Sequence, residues 1–234
     1  MMKEKIYLIP GLMCNERLWE RLIPYLEDTY ELVHVPIPNI SDFDEIITIL
    51  DDIFDQGEIN LFGFSLGSYI SSYYSIKYPH RVKRLFLNAG TPSKMSPKEV
   101  EKRNNVINLM KNLGFNGLTK SKVISLLEES NQSDEQLITL IQNMYIDLGE
   151  TVYLSQMKTI NNRISLEKDL INLTIPIHFY YSTDDRLFTY SSIENFTSEH
   201  THIKKISRVG TSHMIPLEFP KELSHQIRMW MDNA

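Results

Sequence analysis

The stretch Ile59-Asn60-Leu61-Phe62-Gly63-Phe64-Ser65-Leu66-Gly67-Ser68-Tyr69-Ile70-Ser71 decides how the rest of the chain is read. Ile59 to Phe62 is a short apolar run of the kind that forms a fully buried strand, and Leu66 to Tyr78 reads as the helix after it. Between them the glycines of G-x-S-x-G permit a sharp turn that pushes Ser65 outward, because side chains at the flanking positions would have no room. The helix start then aims free backbone N–H groups, including that of Leu66, toward the serine. By composition alone such a string arises in on the order of one chain in ten, so its surroundings must carry the argument. A glycine turn with a purely structural purpose is the alternative.

Outward from this turn, strand patterns at Lys5–Ile9, Glu31–Val35, Ile59–Gly63, Val82–Asn88, Ile177–Tyr181 and His202–Ile206 alternate with helix patterns. The helix patterns are Glu16–Leu26, Phe43–Phe54, Leu66–Tyr78, Ser191–Ser198 and Lys221–Trp230. Alternation of this kind predicts an α/β fold with a mostly parallel sheet of six strands flanked by helices. From Thr91 to Leu173 the strands stop and helix signals take over. Pro97 opens a helix pattern to Leu113, and Ser133-Asp134-Glu135-Gln136 offers a capping box before Leu137, Leu140, Ile141 and Met144. Residues 93–170 are therefore expected to form a helical cap inserted into a core domain made of 1–92 and 171–234.

A serine hydroxyl needs a base. Of the seven histidines, His213 lies in a glycine-containing loop after the last strand, at the same sheet edge as the Ser65 turn. His178 and His202 fall within strands, His34 near the end of one, and His80, His200 and His225 read as surface. The base in turn needs a carboxylate, and Asp184 and Asp185 end the preceding strand at the same edge. Position alone leaves the choice between them open.

The net charge of −6 argues against nucleic acid and anionic membranes, and points to small uncharged partners. A single cysteine, Cys14, excludes an intramolecular disulfide and nearly excludes a cysteine-based metal site. No metal or cofactor is expected. No apolar run is long enough for a membrane span, and the early Pro10-Gly11 comes too soon for a secretory leader, so a cytoplasmic protein is expected, as a monomer or homodimer.

Taken together, Ser65, Asp185 and His213 in that order resemble the α/β-hydrolase superfamily. The stretch Leu8 to Leu26 looks like the loop after that family's third strand, Gly63 to Ser68 like its nucleophile elbow, Tyr78 to Pro92 like its sixth strand, and Gly210 to Pro220 like its histidine loop. The family's first two strands are absent. The resemblance implies Ser65 as nucleophile and His213 as base, and it favours Asp185, followed by Arg186-Leu187-Phe188, over Asp184. It also implies an oxyanion hole from the backbone N–H groups of Leu12 and Leu66, although Pro10 stands where the family has a histidine.

The implied activity is hydrolysis of a small to medium, uncharged carboxylic ester or thioester through an acyl-enzyme. Leu109, Met110, Leu113, Leu126, Leu127, Met144, Tyr145, Tyr153 and Met157 are candidates to line the pocket or to form the cap's own core. A lyase of the menaquinone-pathway type is a second reading; it would want cap arginines facing the site, whereas Arg103 and Arg163 read as solvated. A non-hydrolytic ligand sensor on the same scaffold is a third.

Overall fold

The computed structural model describes residues 3–232 except 195, 197 and 198. Strands β1 (Glu4–Ile9), β2 (Tyr30–His34), β3 (Ile59–Phe64), β4 (Val82–Asn88), β5 (Ile177–Ser182) and β6 (Ile203–Arg208) form one sheet in the order β2-β1-β3-β4-β5-β6. All neighbouring pairs are parallel. The chain runs from β1 out to the edge strand β2 and returns to β3 on the other side, so the loops after β1 and β3 part at a crevice on the carboxyl edge.

Period-two alternation sends successive strand residues to opposite faces, and both faces are covered. Leu61, Leu85, Leu87 and Phe179 pack on one side, whereas Phe62, Phe64, Phe86 and Tyr180 pack on the other. The first face is closed by α1 (Phe43–Ile53) and α2 (Leu66–Lys77). In α2 every residue from Leu66 to Ser75 is buried. Its serines fit this dry setting because their hydroxyls bond backbone carbonyls, Ser72 to Ser68 and Ser75 to Ser71, each at 2.8 Å.

Between β4 and β5 the described residues contain helices and no strand: α3 (Pro97–Leu113), α4 (Lys120–Ile124), α5 (Glu135–Asn161) and α6 (Glu167–Ile171). A capping box does occur here, but at Ser96 and Glu99 at the start of α3. At α5 the cap is Asp134, one residue later than the predicted Ser133, with its carboxylate accepting the Leu137 N–H. α5 bends at Gly149, whose φ of 74° suits glycine. Leu137, Ile138, Ile141 and Met144 of its first arm join one face's core, while Ile160 of its second arm joins the other's. The segment leaves and returns at one place, since the Leu166 N–H donates to the Pro92 carbonyl at 3.0 Å.

After β5 comes the short α7 (Ser191–Glu194), and after β6 come α8 (Ile215–Glu218) and α9 (Pro220–Asp232), whose Leu223, Ile227 and Trp230 complete the second face. The predicted helix to Ser198 extends over residues outside the described set. The predicted helix Glu16–Leu26 is instead two 3-10 turns, Glu16–Trp19 and Ile23–Tyr25. Pro24 supplies no N–H for a continuous ladder, yet Leu18, Trp19, Leu22 and Leu26 are still buried, so the apolar spacing reported burial correctly and the helix type wrongly. No helix among the described residues is long and apolar enough to cross a membrane.

Candidate active site

Ser65 sits between β3 and α2 with φ 52° and ψ −111°, a conformation that L-residues adopt only under constraint. The constraint is the surrounding packing. A Cβ on Gly63 would come within 2.4 Å of the Gly67 carbonyl oxygen, and one on Gly67 within 2.2 Å of the Ile9 oxygen. The Ser65 N–H is tied to the Asn88 carbonyl at 2.9 Å. Among the described residues three non-glycine residues have positive φ: Met13, Ser65 and Ala89. They follow β1, β3 and β4, so the backbone strain is gathered at the carboxyl edge of three adjacent strands.

His213 reaches this turn from the loop after β6. Its Nε2 lies 3.1 Å from Ser65 Oγ and its Nδ1 lies 2.7 Å from Asp185 Oδ2. The second oxygen of Asp185 accepts the Leu187 N–H at 2.9 Å, which fixes the carboxylate plane. Both Asp185 and His213 are buried. Asp184 faces away: it is exposed, and its side chain accepts the Thr183 hydroxyl at 2.8 Å. Of the two acids it is thus Asp185 whose side chain turns toward His213. His178 lies beside Phe86 with its pKa pushed down to about 4 by burial, and His34 accepts the Trp19 indole N–H at 3.0 Å.

The loop after β1 lies against the serine, since a Cβ on Gly11 would approach Ser65 Cβ to 3.1 Å. The N–H groups of Leu12 and Leu66 meet no acceptor among the described residues, whereas the next one along, that of Met13, donates to Gln156 Oε1 at 2.8 Å. Gln156 in α5 therefore holds the β1 loop in its unusual shape. The sequence signal for it was slight: one buried amide beside Met157 in a helix of mixed pattern.

The family model of the alpha/beta hydrolase fold matches residues 6–220. The chain belongs to the α/β-hydrolase family. Its fold is similar to that of a thermophilic esterase from Thermogutta terrifontis with malate bound, at TM-score 0.85 and 18% identity, over 99% of this chain and 90% of that one. It is similar also to a structure from work on carboxylesterases of Nitrososphaera gargenis, at TM-score 0.80 and 16% identity, over 98% and 90% of the two chains. An enol-lactonase from Burkholderia xenovorans LB400 gives TM-score 0.84 at 12% identity, over 100% and 93%. At such identities the likeness is one of fold. No curated protein matches the sequence.

In this α/β hydrolase the helical segment grips the histidine loop. The His213 N–H donates to the Leu126 carbonyl at 2.8 Å. Glu128 Oε2 accepts from Thr211 N–H at 3.0 Å, Ser212 N–H at 3.3 Å and Arg208 Nη1 at 3.0 Å. Burial opposes the Glu128 charge, but Arg208 and the two N–H donors outweigh it and hold the carboxyl below the ordinary Glu value. Glu218 in turn accepts the Glu128 N–H at 2.8 Å and Asn131 Nδ2 at 3.0 Å, and burial pushes its own pKa up. Nothing in the local pattern around Glu128 or Glu218 marks them, because their partners are distant in sequence.

Of the residues proposed from sequence as a pocket lining, Leu109 and Leu113 face solvent, and Leu126, Leu127 and Met144 belong to the core beneath α9. Tyr145, Tyr153 and Met157 instead surround Arg103, whose Nη1 rests 3.4 Å from Met157 Sδ. Arg103 and Arg163 are not solvated, contrary to the sequence reading. Both are half-buried, Arg103 on α3 and Arg163 in the loop between α5 and α6.

Proposed function

We propose that the chain is a serine hydrolase that cleaves a small to medium carboxylic ester or thioester through an acyl-enzyme on Ser65. The observation that carries this reading is His213, hydrogen-bonded at one ring nitrogen to Ser65 and at the other to the buried Asp185. Three loops from separate strands bring these groups to one sheet edge.

In the proposed reaction Ser65 Oγ attacks the acyl carbon while His213 Nε2 takes the hydroxyl proton, and Asp185 keeps Nδ1 protonated and stabilises the imidazolium. The carbonyl electrons move onto oxygen, which the Leu12 and Leu66 N–H groups receive. The tetrahedral adduct collapses, the C–O or C–S bond breaks, and Nε2–H protonates the departing alcohol or thiol. Water, deprotonated by His213, then attacks the acyl-serine, releasing the acid and restoring Ser65. Residues 93–170 act as a cap that shields these steps from bulk water and, through Glu128, holds the histidine loop.

The test is labelling with a fluorophosphonate followed by peptide mass mapping, together with hydrolysis of p-nitrophenyl esters of increasing chain length. Labelling at Ser65 and turnover that EDTA leaves untouched are expected. A folded protein that shows neither labelling nor turnover overturns the reading.

A further inference from the structure

Arg103 and Arg163 stand where the helical segment meets the Ser65 edge, and they are poorly neutralised. Among the described residues neither has a carboxylate within ion-pair distance. Arg163 lies with Cζ 4.2 Å over the Tyr69 ring and donates from Nη2 to the Thr91 carbonyl, while its Nε is buried without a partner. Tyr69 is one turn of α2 beyond Ser65. Thr91 follows Gly90, where a Cβ would come within 2.5 Å of the Ser65 carbonyl oxygen. Arg103 touches Met157, the neighbour of the Gln156 that holds the β1 loop.

The two guanidiniums also feel each other. Burial is the main cause that lowers the Arg163 pKa, to about 10, with Arg103 adding to it; burial lowers that of Arg103 as well. Arg163 therefore remains charged at neutral pH. Lys122 of α4 adds a third cation within electrostatic reach of Arg103. Glu99 is within electrostatic reach of both guanidiniums and Glu167 of Arg163, but neither forms an ion pair with them: Glu99 Oε2 accepts the Ser96 N–H and hydroxyl at 2.9 and 2.6 Å, and Glu167 accepts the Ser165 hydroxyl at 2.6 Å. Half-buried like charges are costly unless an anion joins them, and a guanidinium pair suits a carboxylate through paired N–H donors. The net charge of −6 conceals this, because a local cluster of cations sets the field in a cleft.

We propose that Arg103 and Arg163 form an anion subsite beside Ser65, and that the acyl part of the substrate carries a second, ionised carboxylate, as in a monoester or monothioester of a short dicarboxylic acid. This rests on the serine-hydrolase reading and replaces the uncharged acyl group expected from composition. The subsite fixes the remote carboxylate so that the scissile carbonyl is presented to Ser65.

The experiment compares mono-p-nitrophenyl glutarate with p-nitrophenyl valerate, which have the same chain length and differ in the terminal carboxylate. In the native enzyme KM for the glutarate ester is expected to be lower by about tenfold, and free glutarate to compete. Arg103→Gln and Arg163→Gln should each raise KM for the glutarate ester about tenfold more than for valerate. Equal KM values in the native enzyme, or variants that weaken both esters alike, overturn the subsite while leaving the hydrolase intact. Turnover of neither ester overturns the hydrolase reading. The subsite is then judged by whether glutarate raises the Tm of the native protein and loses that effect in Arg163→Gln; no rise in the native protein overturns it.

Discussion

Glu128 accepts the backbone N–H of Thr211 at 3.0 Å, so a side chain from the helical segment holds the loop that ends in His213. Removing it frees two loop N–H groups and the Arg208 guanidinium together. Glu128→Ala is expected to lower kcat by between about tenfold and a hundredfold with a smaller change in KM, because it displaces His213 and leaves the nucleophile in place. It should also cost about 1–3 kcal/mol of stability at pH 7. The folded-state pKa of Glu128 lies below its ordinary 4.5, so this contribution is present above that value and is lost as pH falls through the folded-state one. Urea denaturation of the native protein and the variant at descending pH should show the gap closing; a constant gap would mean that the charge is irrelevant.

The two adjacent acids separate cleanly by direction. Asp185→Asn should reduce kcat/KM by about 10³- to 10⁴-fold, because the amide disturbs the tautomer of His213 and removes the charge that steadies the imidazolium. Asp184→Asn, at an exposed position, should remain near native activity. Steady-state kinetics on one p-nitrophenyl ester decide the matter, and the reverse ranking would move the orienting role to Asp184.

Gly67 is held against the end of β1, where any Cβ would fall 2.2 Å from the Ile9 oxygen and 2.5 Å from the Pro10 oxygen. Both atoms are backbone, so relief requires α2 to move away from the sheet. Gly67→Ala is therefore expected to cost at least about 3 kcal/mol, read by chemical denaturation. Gly57, with φ 92° but no atom near its Cβ position, offers a control: Gly57→Ala should be destabilised less, through backbone strain alone.

Cys14 is buried, and burial pushes its thiol pKa up to about 12. At pH 8 the thiolate fraction in the folded chain is negligible, and the sulfur donates weakly to the Leu12 carbonyl at 3.5 Å. Iodoacetamide should leave the native protein unmodified for hours and alkylate it fully in guanidinium, as followed by intact mass. Rapid native alkylation would show that the β1 loop opens.

The α/β architecture was legible because it rests on local periodicity. A strand buried on both faces must be largely apolar, as β3 is apart from Asn60, and α1 shows its buried stripe at helical spacing, whereas α2 is buried all round from Leu66 to Ser75. The same local logic placed Ser65 at a turn and His213 in a loop at the matching sheet edge. It misread Glu16–Leu26, where apolar spacing is satisfied by two 3-10 turns around Pro24.

Periodicity reports whether a residue is buried but not what it meets, and the site depends on meetings between residues far apart in the chain. The sequence determined the order of strands and helices and the candidate nucleophile and base, since these follow from spacing within a few residues. Tertiary structure alone turned Asp185 toward His213 and Asp184 toward solvent, brought Glu128 to the histidine loop and Gln156 to Met13, and drew Arg103 and Arg163 in from an apparently solvated helix surface. All but the first depend on how the segment between β4 and β5 folds back on the sheet, a relation between distant surfaces that spacing along the chain does not encode.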